Sequence, residues 1–196
     1  MKTPWWFLKQ NPVAWLLVPL SWIYYGVGRL VAIWRRLFAI KSRRPIICVG
    51  NIFAGGVGKT PIVRAIANYF GAPVVMRGYK KSAKTGNVGD EAIMLARTGL
   101  AVHVGDRKSN IILLNKQDEN GPIVMDDGLQ NPSIKKDVSI IVFDQGLGYG
   151  NGFMLPAGPL RQPKKTARQA DAIIVIKSKN IPVITKFKLK KKMNMY

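Results

Sequence analysis

Ile46-Ile47-Cys48-Val49-Gly50-Asn51-Ile52-Phe53-Ala54-Gly55-Gly56-Val57-Gly58-Lys59-Thr60-Pro61 is the stretch on which the reading of this chain turns. Its first residues form an apolar, β-branched run of the kind that makes a buried strand. A glycine-rich turn follows, then Lys-Thr, then residues able to start a helix. Small residues let the backbone close around an anion. The N–H groups of Gly55, Gly56, Val57, Gly58, Lys59 and Thr60 would then point at phosphate oxygens. Lys59 would neutralise the outer phosphates, and the Thr60 hydroxyl would ligate Mg2+. The stretch therefore predicts a P-loop that binds a nucleotide with its metal. It departs from the usual spacing at one place, because Phe53 stands where the first glycine belongs. The plainer alternative is a glycine turn with an exposed lysine.

Downstream, Ile62, Val63, Ile66, Ala67 and Phe70 have a helical spacing, and Gly71 sits where a helix-ending glycine should be. Val74-Val75-Met76 is a short second strand running into Arg77-Gly78-Tyr79. Asp90 and Glu91 open a further helix through Ala96, where their charge suits the helix dipole. Ala101–Val104 is a third strand candidate that contains His103, the single histidine, read as structural. Pro122–Met125 is an apolar strand delivering Asp126, Asp127 and Gly128, and the strand at Ser139–Phe143 delivers Asp144. An apolar strand ending in aspartate can hold Mg2+ directly or through water, whereas a lone aspartate there is as readily a turn residue. In open parallel sheets ligands bind at the carboxyl ends of the strands, so these aspartates, Arg77 and the P-loop would converge. The glycine- and proline-rich loop from Gly150 to Arg161 reads as a lid, a substrate platform or a connection, and Ala172–Ile176 as one more strand. The expected fold is α/β: a mostly parallel P-loop sheet flanked by helices.

The formal charge is +21, from 31 Lys and Arg against 10 Asp and Glu. Such a field attracts nucleic acid, anionic lipid or phosphorylated substrates without choosing among them. Its distribution helps, since residues 1–44 and 177–196 contain no acid. Asn11–Gly28 carries no charge and includes Trp15, Trp22, Tyr24 and Tyr25, with Arg35, Arg36, Lys41, Arg43 and Arg44 beyond it. An aromatic belt beside a basic cluster predicts a membrane-associating helix that either spans or lies in the interface, with the following domain cytoplasmic. A signal peptide or an ordinary core helix are the alternatives, though no small-x-small cleavage site is evident. Pro12 suits the helix start, while Pro19, Gly26 and Gly28 would kink or loosen it. The expected division is an anchor at 1–44, a P-loop core at 45–178 and a Lys-rich tail at 179–196 without fixed structure. The single cysteine, Cys48, excludes an intrachain disulfide and reads as a small buried hydrophobe.

In order along the chain, these stretches resemble the tetraacyldisaccharide 4′-kinase family, the lipid A kinases of Gram-negative bacteria. The resemblance is carried by Val49-Gly50-Asn51, Gly55–Pro61, Arg77-Gly78-Tyr79, Gly89-Asp90-Glu91, Asp126–Gln130, Gly150-Asn151-Gly152 and Leu155–Arg161, and covers roughly residues 10–178. It implies transfer of the ATP γ-phosphate to the 4′-hydroxyl of an acylated glucosamine disaccharide 1-phosphate at the cytoplasmic face of the inner membrane. It implies Asp90 as the acceptor of the sugar hydroxyl proton beside Lys59. Thr60, Asp126, Asp127 and Asp144 would serve the metal, and Arg77, Gly78, Tyr79, Asn151 and Arg161 the substrate. ATP and Mg2+ are the implied cofactors, and the lipid A disaccharide precursor and the membrane surface are the implied partners; no nucleic acid is expected.

Departures from the family pattern bear on activity. Asn131 stands in place of a histidine, Ala92 in place of a proline and Gln162 in place of a glutamate. The family has a second lobe with a histidine paired to the catalytic aspartate, and the lysine run begins where the family pattern stops. The resemblance thus also implies a truncated and weakened kinase, or a remnant that binds ATP and membrane without catalysis. A membrane-associated P-loop ATPase is disfavoured by Ala54, where its signature needs lysine. A basic nucleic-acid binder needs neither a P-loop nor strand-end aspartates, and would place its aromatics among its basic residues.

Overall fold

The computed structural model describes residues 4–77, 90–117 and 119–176, and the backbone of one further strand at Pro182–Phe187. The chain folds as two compact units interleaved in sequence, one holding residues 38–50 and 59–139 and the other, among the described residues, 4–37, 51–58, 140–176 and the strand at Pro182–Phe187.

In the first unit, β1 (Ile46–Gly50) is buried at every residue, as its apolar run demands. The 3.6-residue spacing after it forms α3 (Lys59–Phe70), which buries Ile62, Val63 and Ala67 and ends before Gly71 at φ +57°. There follow β2 (Val74–Met76), α4 (Asp90–Ala96), β3 (Val102–Val104), α5 (Arg107–Leu114) and β4 (Ile123–Asp126). Parallel strands need crossover helices, and these helices provide them. The strands lie in the order β3-β2-β4-β1, all parallel, with Ile46 opposite Ile123, Val49 opposite Asp126 and Val74 between Val124 and Val102. Ile46, Cys48, Val75, Ile111, Leu114, Ile123, Met125 and Ile134 form the core beneath them. Because all four strands run the same way, the ends of β1, β2 and β4 reach one edge. That edge carries Arg77 after β2 and Asp126 and Asp127 after β4.

Opposite that edge, Arg44 is buried and paired with Glu119 at 3.0 Å, and it donates to the carbonyls of Gly121 and Pro122. At the start of β1, the Asp137 carboxylate accepts the Ile46 N–H at 2.8 Å. These contacts pin the entry to the P-loop strand.

The second unit contains a short 3-10 helix (Trp5–Phe7), α1 (Pro12–Leu16), α2 (Val18–Leu37), β5 (Val138–Asp144), α6 (Lys165–Arg168), β6 (Ala172–Ile176) and β7 (Pro182–Phe187). β5 and β6 are parallel, and β7 runs antiparallel to β6. Strand β7 lies within the Lys-rich stretch expected to lack structure, where β6 supplies the hydrogen-bonding edge that the local sequence does not advertise. The N-terminal helix also differs from expectation. It is interrupted at Leu17, and α2 then runs unbroken through Pro19, Gly26 and Gly28. Pro19 falls in the first turn of α2, where a missing N–H breaks no helical bond. Asn11 caps α1 by accepting the Ala14 N–H, with Pro12 first in the helix.

Ser21 is the buried residue of α2; its hydroxyl donates to the Met154 carbonyl at 2.9 Å and accepts the Ala157 N–H. On the opposite arc Trp22, Ile23, Val27, Leu30, Trp34 and Leu37 are each more than half exposed. Among the described residues no helix is long and apolar enough to cross a membrane.

Candidate nucleotide-binding site

The P-loop itself is braced from within its own unit. Asn51, fully buried, donates its amide to the carbonyls of Phe53 and Gly55 at 3.0 and 3.1 Å, closing the turn from inside. Phe53 is buried and bridges to Leu160, while the Ala54 N–H donates to Pro159. The residue that replaces the expected glycine thus seats the loop on the Gly150–Arg161 segment. Gly55, Gly56 and Gly58 are exposed and Val57 is buried. Gly58 has φ +68°, and a Cβ there would also meet the Ile176 side chain at 3.1 Å, so the position takes glycine.

Lys59 opens α3, and its ammonium lies 3.2 Å from the Asp127 carboxylate, both side chains being largely shielded from water. Thr60, next in the helix, is half-buried. Asp127 has φ +52°, the one non-glycine residue of positive φ among those described. Aspartate tolerates the left-handed region better than most residues because its short side chain hydrogen-bonds locally.

Asp126 is 4% exposed, and its Oδ1 is buried without a hydrogen-bond partner. Burial pushes its carboxyl up to about 6. The Lys59 ammonium works the other way, and Asp127 and Glu91 add to the rise. Two adjacent carboxylates, one with an unsatisfied buried oxygen, are hard oxygen donors that suit Mg2+, a cation bound by one or two carboxylates plus phosphate oxygens and water. The residues fit the metal, although no cluster of three or more His, Cys, Asp or Glu able to hold an ion occurs among the described residues.

The remaining sequence-predicted positions distribute as follows. Arg77 is exposed at the end of β2, and Asp90 and Glu91 are exposed in the first turn of α4. Gly78 and Tyr79 lie outside the described residues. Asp144, Asn151 and Arg161 belong to the unit that also holds residues 51–58. There the Asp144 Oδ1 accepts the N–H groups of Gly146 and Leu147, the behaviour of a turn residue. Asn151 is 6% exposed and its amide is spent on backbone: it donates to Trp6 and Ala157 and accepts from Phe153. It therefore orders the loop from inside. Arg161 donates its N–H to Ile52 at 2.8 Å, which ties that loop to the P-loop.

Asn51 was quoted within a family motif without a role. Arg107 was not singled out by sequence: first residue of α5, it is buried and donates through Nη2 to the carbonyls of Asp126 and Asp127 at 2.7 and 3.1 Å. The available signal was the cap: Asp106 accepts both the N–H and the hydroxyl of Ser109, and those bonds hold its carboxyl below the usual range.

A glycine loop leading from a buried strand into a helix headed by Lys-Thr, with aspartates on a neighbouring parallel strand, defines the class of P-loop kinase-like α/β proteins. Comparison with known proteins narrows the class. The family profile of tetraacyldisaccharide-1-P 4′-kinase matches residues 13–195, and the chain belongs to that family. Relatives named tetraacyldisaccharide 4′-kinase include that of Dechloromonas aromatica, 38% identical over 85% of this chain and 54% of its own. The Methylobacterium nodulans protein of the same name is 39% identical over 90% of this chain and 57% of its own. The crystal structure of LpxK from Aquifex aeolicus in complex with ATP superposes with a TM-score of 0.64 at 26% identity, over 83% of this chain and 58% of that one. The chain spans little more than half the length of the relatives it matches.

Proposed function

We propose that this chain carries the nucleotide-binding machinery of an ATP-dependent lipid kinase. Its reaction would be transfer of the γ-phosphate to the 4′-hydroxyl of a tetraacyldisaccharide 1-phosphate in lipid A biosynthesis. The observation that carries the proposal is the buried charge arrangement at the head of α3: Lys59 on Asp127 at 3.2 Å, with Asp126 Oδ1 buried and unsatisfied beside them. Family membership and the ATP complex of the Aquifex relative support it.

In this reading the amides from Gly55 to Thr60 bind the phosphates, and Lys59 exchanges its contact with Asp127 for phosphate oxygens as nucleotide enters. Thr60, Asp126 and Asp127 would hold Mg2+, which neutralises charge on the transferring phosphoryl group. Asp90, at the exposed first turn of α4, accepts the proton of the attacking hydroxyl. By resemblance to the family, Arg77, Gly78, Tyr79, Asn151 and Arg161 would serve the phosphorylated sugar, and Asp144 would join the metal ligands. Asn151 supports the loop that bears Arg161. The exposed apolar arc of α2 lies in the membrane interface at the cytoplasmic face of the inner membrane. Its Arg35 and Arg36 lie toward the anionic headgroups.

Calorimetric titration of Mg-ATP into the wild type and Lys59→Ala tests the site. Losing a charged hydrogen-bond partner weakens binding by about 1–3 kcal/mol. Equal affinity in the two proteins refutes it. Transfer of labelled γ-phosphate to the disaccharide 1-phosphate, measured beside Asp90→Asn, tests the reaction: turnover abolished by that substitution is the outcome the proposal requires.

A further inference from the structure

We propose that Arg107 is a positioning residue that sets the Asp126-Asp127 turn for metal binding by gripping its backbone. The inference rests on the nucleotide site proposed above.

Buried arginines ordinarily meet carboxylates. Arg107 does otherwise, because one nitrogen, Nη2, donates to two successive carbonyls, those of Asp126 at 2.7 Å and Asp127 at 3.1 Å. Two successive carbonyls converge on one donor only if the backbone between them turns sharply, and Asp127 supplies that turn at φ +52°. The left-handed conformation is unfavourable for a residue with a Cβ and persists where surrounding contacts determine it. Arg107 holds the two carbonyls of the turn, while the Asp127 N–H donates to the Val49 carbonyl at 2.8 Å. Arg107 is itself held by α5, whose Asp106 cap fixes the helix start and whose Ile111 and Leu114 are sunk in the core. The result bears on chemistry. With both carbonyls drawn to Arg107, the Asp127 carboxylate reaches Lys59 at 3.2 Å, and Asp126 keeps a buried Oδ1 without a protein partner. A guanidinium bound to the carboxylates instead would compete with the metal. Bound to the carbonyls, it holds the turn and leaves that oxygen available.

The test is nucleotide affinity of the full chain with Mg2+ and with chelator, for wild type, Arg107→Met, Arg107→Lys and Asp127→Asn, with Lys59→Ala as control. Arg107→Met is expected to weaken Mg-ATP about tenfold and Mg-free ATP less than twofold. Arg107→Lys, which retains the charge at shorter reach, should fall between. In an Asp127→Asn background the removal of Arg107 should cost less than twofold, because Arg107 acts by presenting the carboxylate which that substitution removes. An equal loss with and without Mg2+, an undiminished loss in the Asp127→Asn background, or no loss overturns the inference while leaving the nucleotide site intact. If Lys59→Ala binds ATP as well as wild type, it is the site that fails. Thermal melts accompany each variant, and should Arg107→Met unfold, the Mg2+ selectivity of the loss in Arg107→Lys decides alone.

Discussion

At the residue scale, one carboxyl couples stability to function. Asp126 has its carboxyl raised from 3.8 to about 6, chiefly by burial. For a carboxyl whose folded value lies above its unfolded one, the protonated form favours the fold below pH 4, and that contribution is lost as pH rises through about 6. At neutral pH the ionised group costs the nucleotide-free protein about 1–3 kcal/mol. Asp126→Asn is therefore expected to raise the unfolding midpoint at pH 7–8 and leave it unchanged at pH 4, while weakening Mg-ATP binding. Melts across pH 4–8 check this, and the same shift at both ends would show that burial of this carboxyl is not the cause. Wild-type affinity for Mg-ATP should itself weaken as pH falls through about 6, since the metal needs the ionised form.

At the scale of elements, α2 poses the sharpest question. Its inward contact is polar, the Ser21 hydroxyl on Met154 and Ala157, while Trp22, Leu30 and Trp34 are 69, 69 and 63% exposed. An apolar arc of that width on a helix with Arg29, Arg35 and Arg36 matches one that lies in a membrane interface. Replacing Trp22, Leu30 and Trp34 together by glutamate is expected to lower partitioning onto phosphatidylglycerol vesicles at least tenfold, as read by co-sedimentation. The melting temperature should change little, because these side chains contribute little to the core. Unchanged sedimentation would mean that α2 is not the membrane contact.

For the molecule as a whole, the +21 charge governs how it approaches its surroundings. A field of that size concentrates anionic lipid and phosphorylated ligands, and it is screened over about 10 Å at 0.1 M salt. Binding to phosphatidylglycerol vesicles should fall steeply between roughly 50 and 500 mM salt, a range over which the Debye length drops severalfold. Residual binding to neutral phosphatidylcholine, carried by the α2 apolar arc, should be nearly salt-independent. Equal salt dependence on both lipids would assign the attraction to something other than charge.

Local patterns determined a good part of this. The apolar runs at Ile46, Val74, Ile123, Ile140 and Ala172 are strands, the 3.6-residue spacing after Thr60 is α3, and Gly71 ends it, because strand burial, helical periodicity and positive φ are properties of adjacent residues. The Lys-Thr after the glycine turn and the aspartates at the end of β4 were legible for the same reason; of the convergence expected among them, Arg77 and Asp144, the contact seen is Lys59 on Asp127 at 3.2 Å. Tertiary structure decided what depends on distant partners. Arg107 finds its acceptors 19 and 20 residues on, and nothing near it in sequence marks it as buried. The Asn151 amide donates to the Trp6 carbonyl, 145 residues away, a partner that its own sequence neighbourhood does not indicate. Asp144 turned its Oδ1 into its own loop, and β7 formed in lysine-rich sequence because β6 offered an edge. A polar side chain carries no local sign of which backbone carbonyl will lie beside it; only the packing of one element on another places that carbonyl, and with it the function of the side chain.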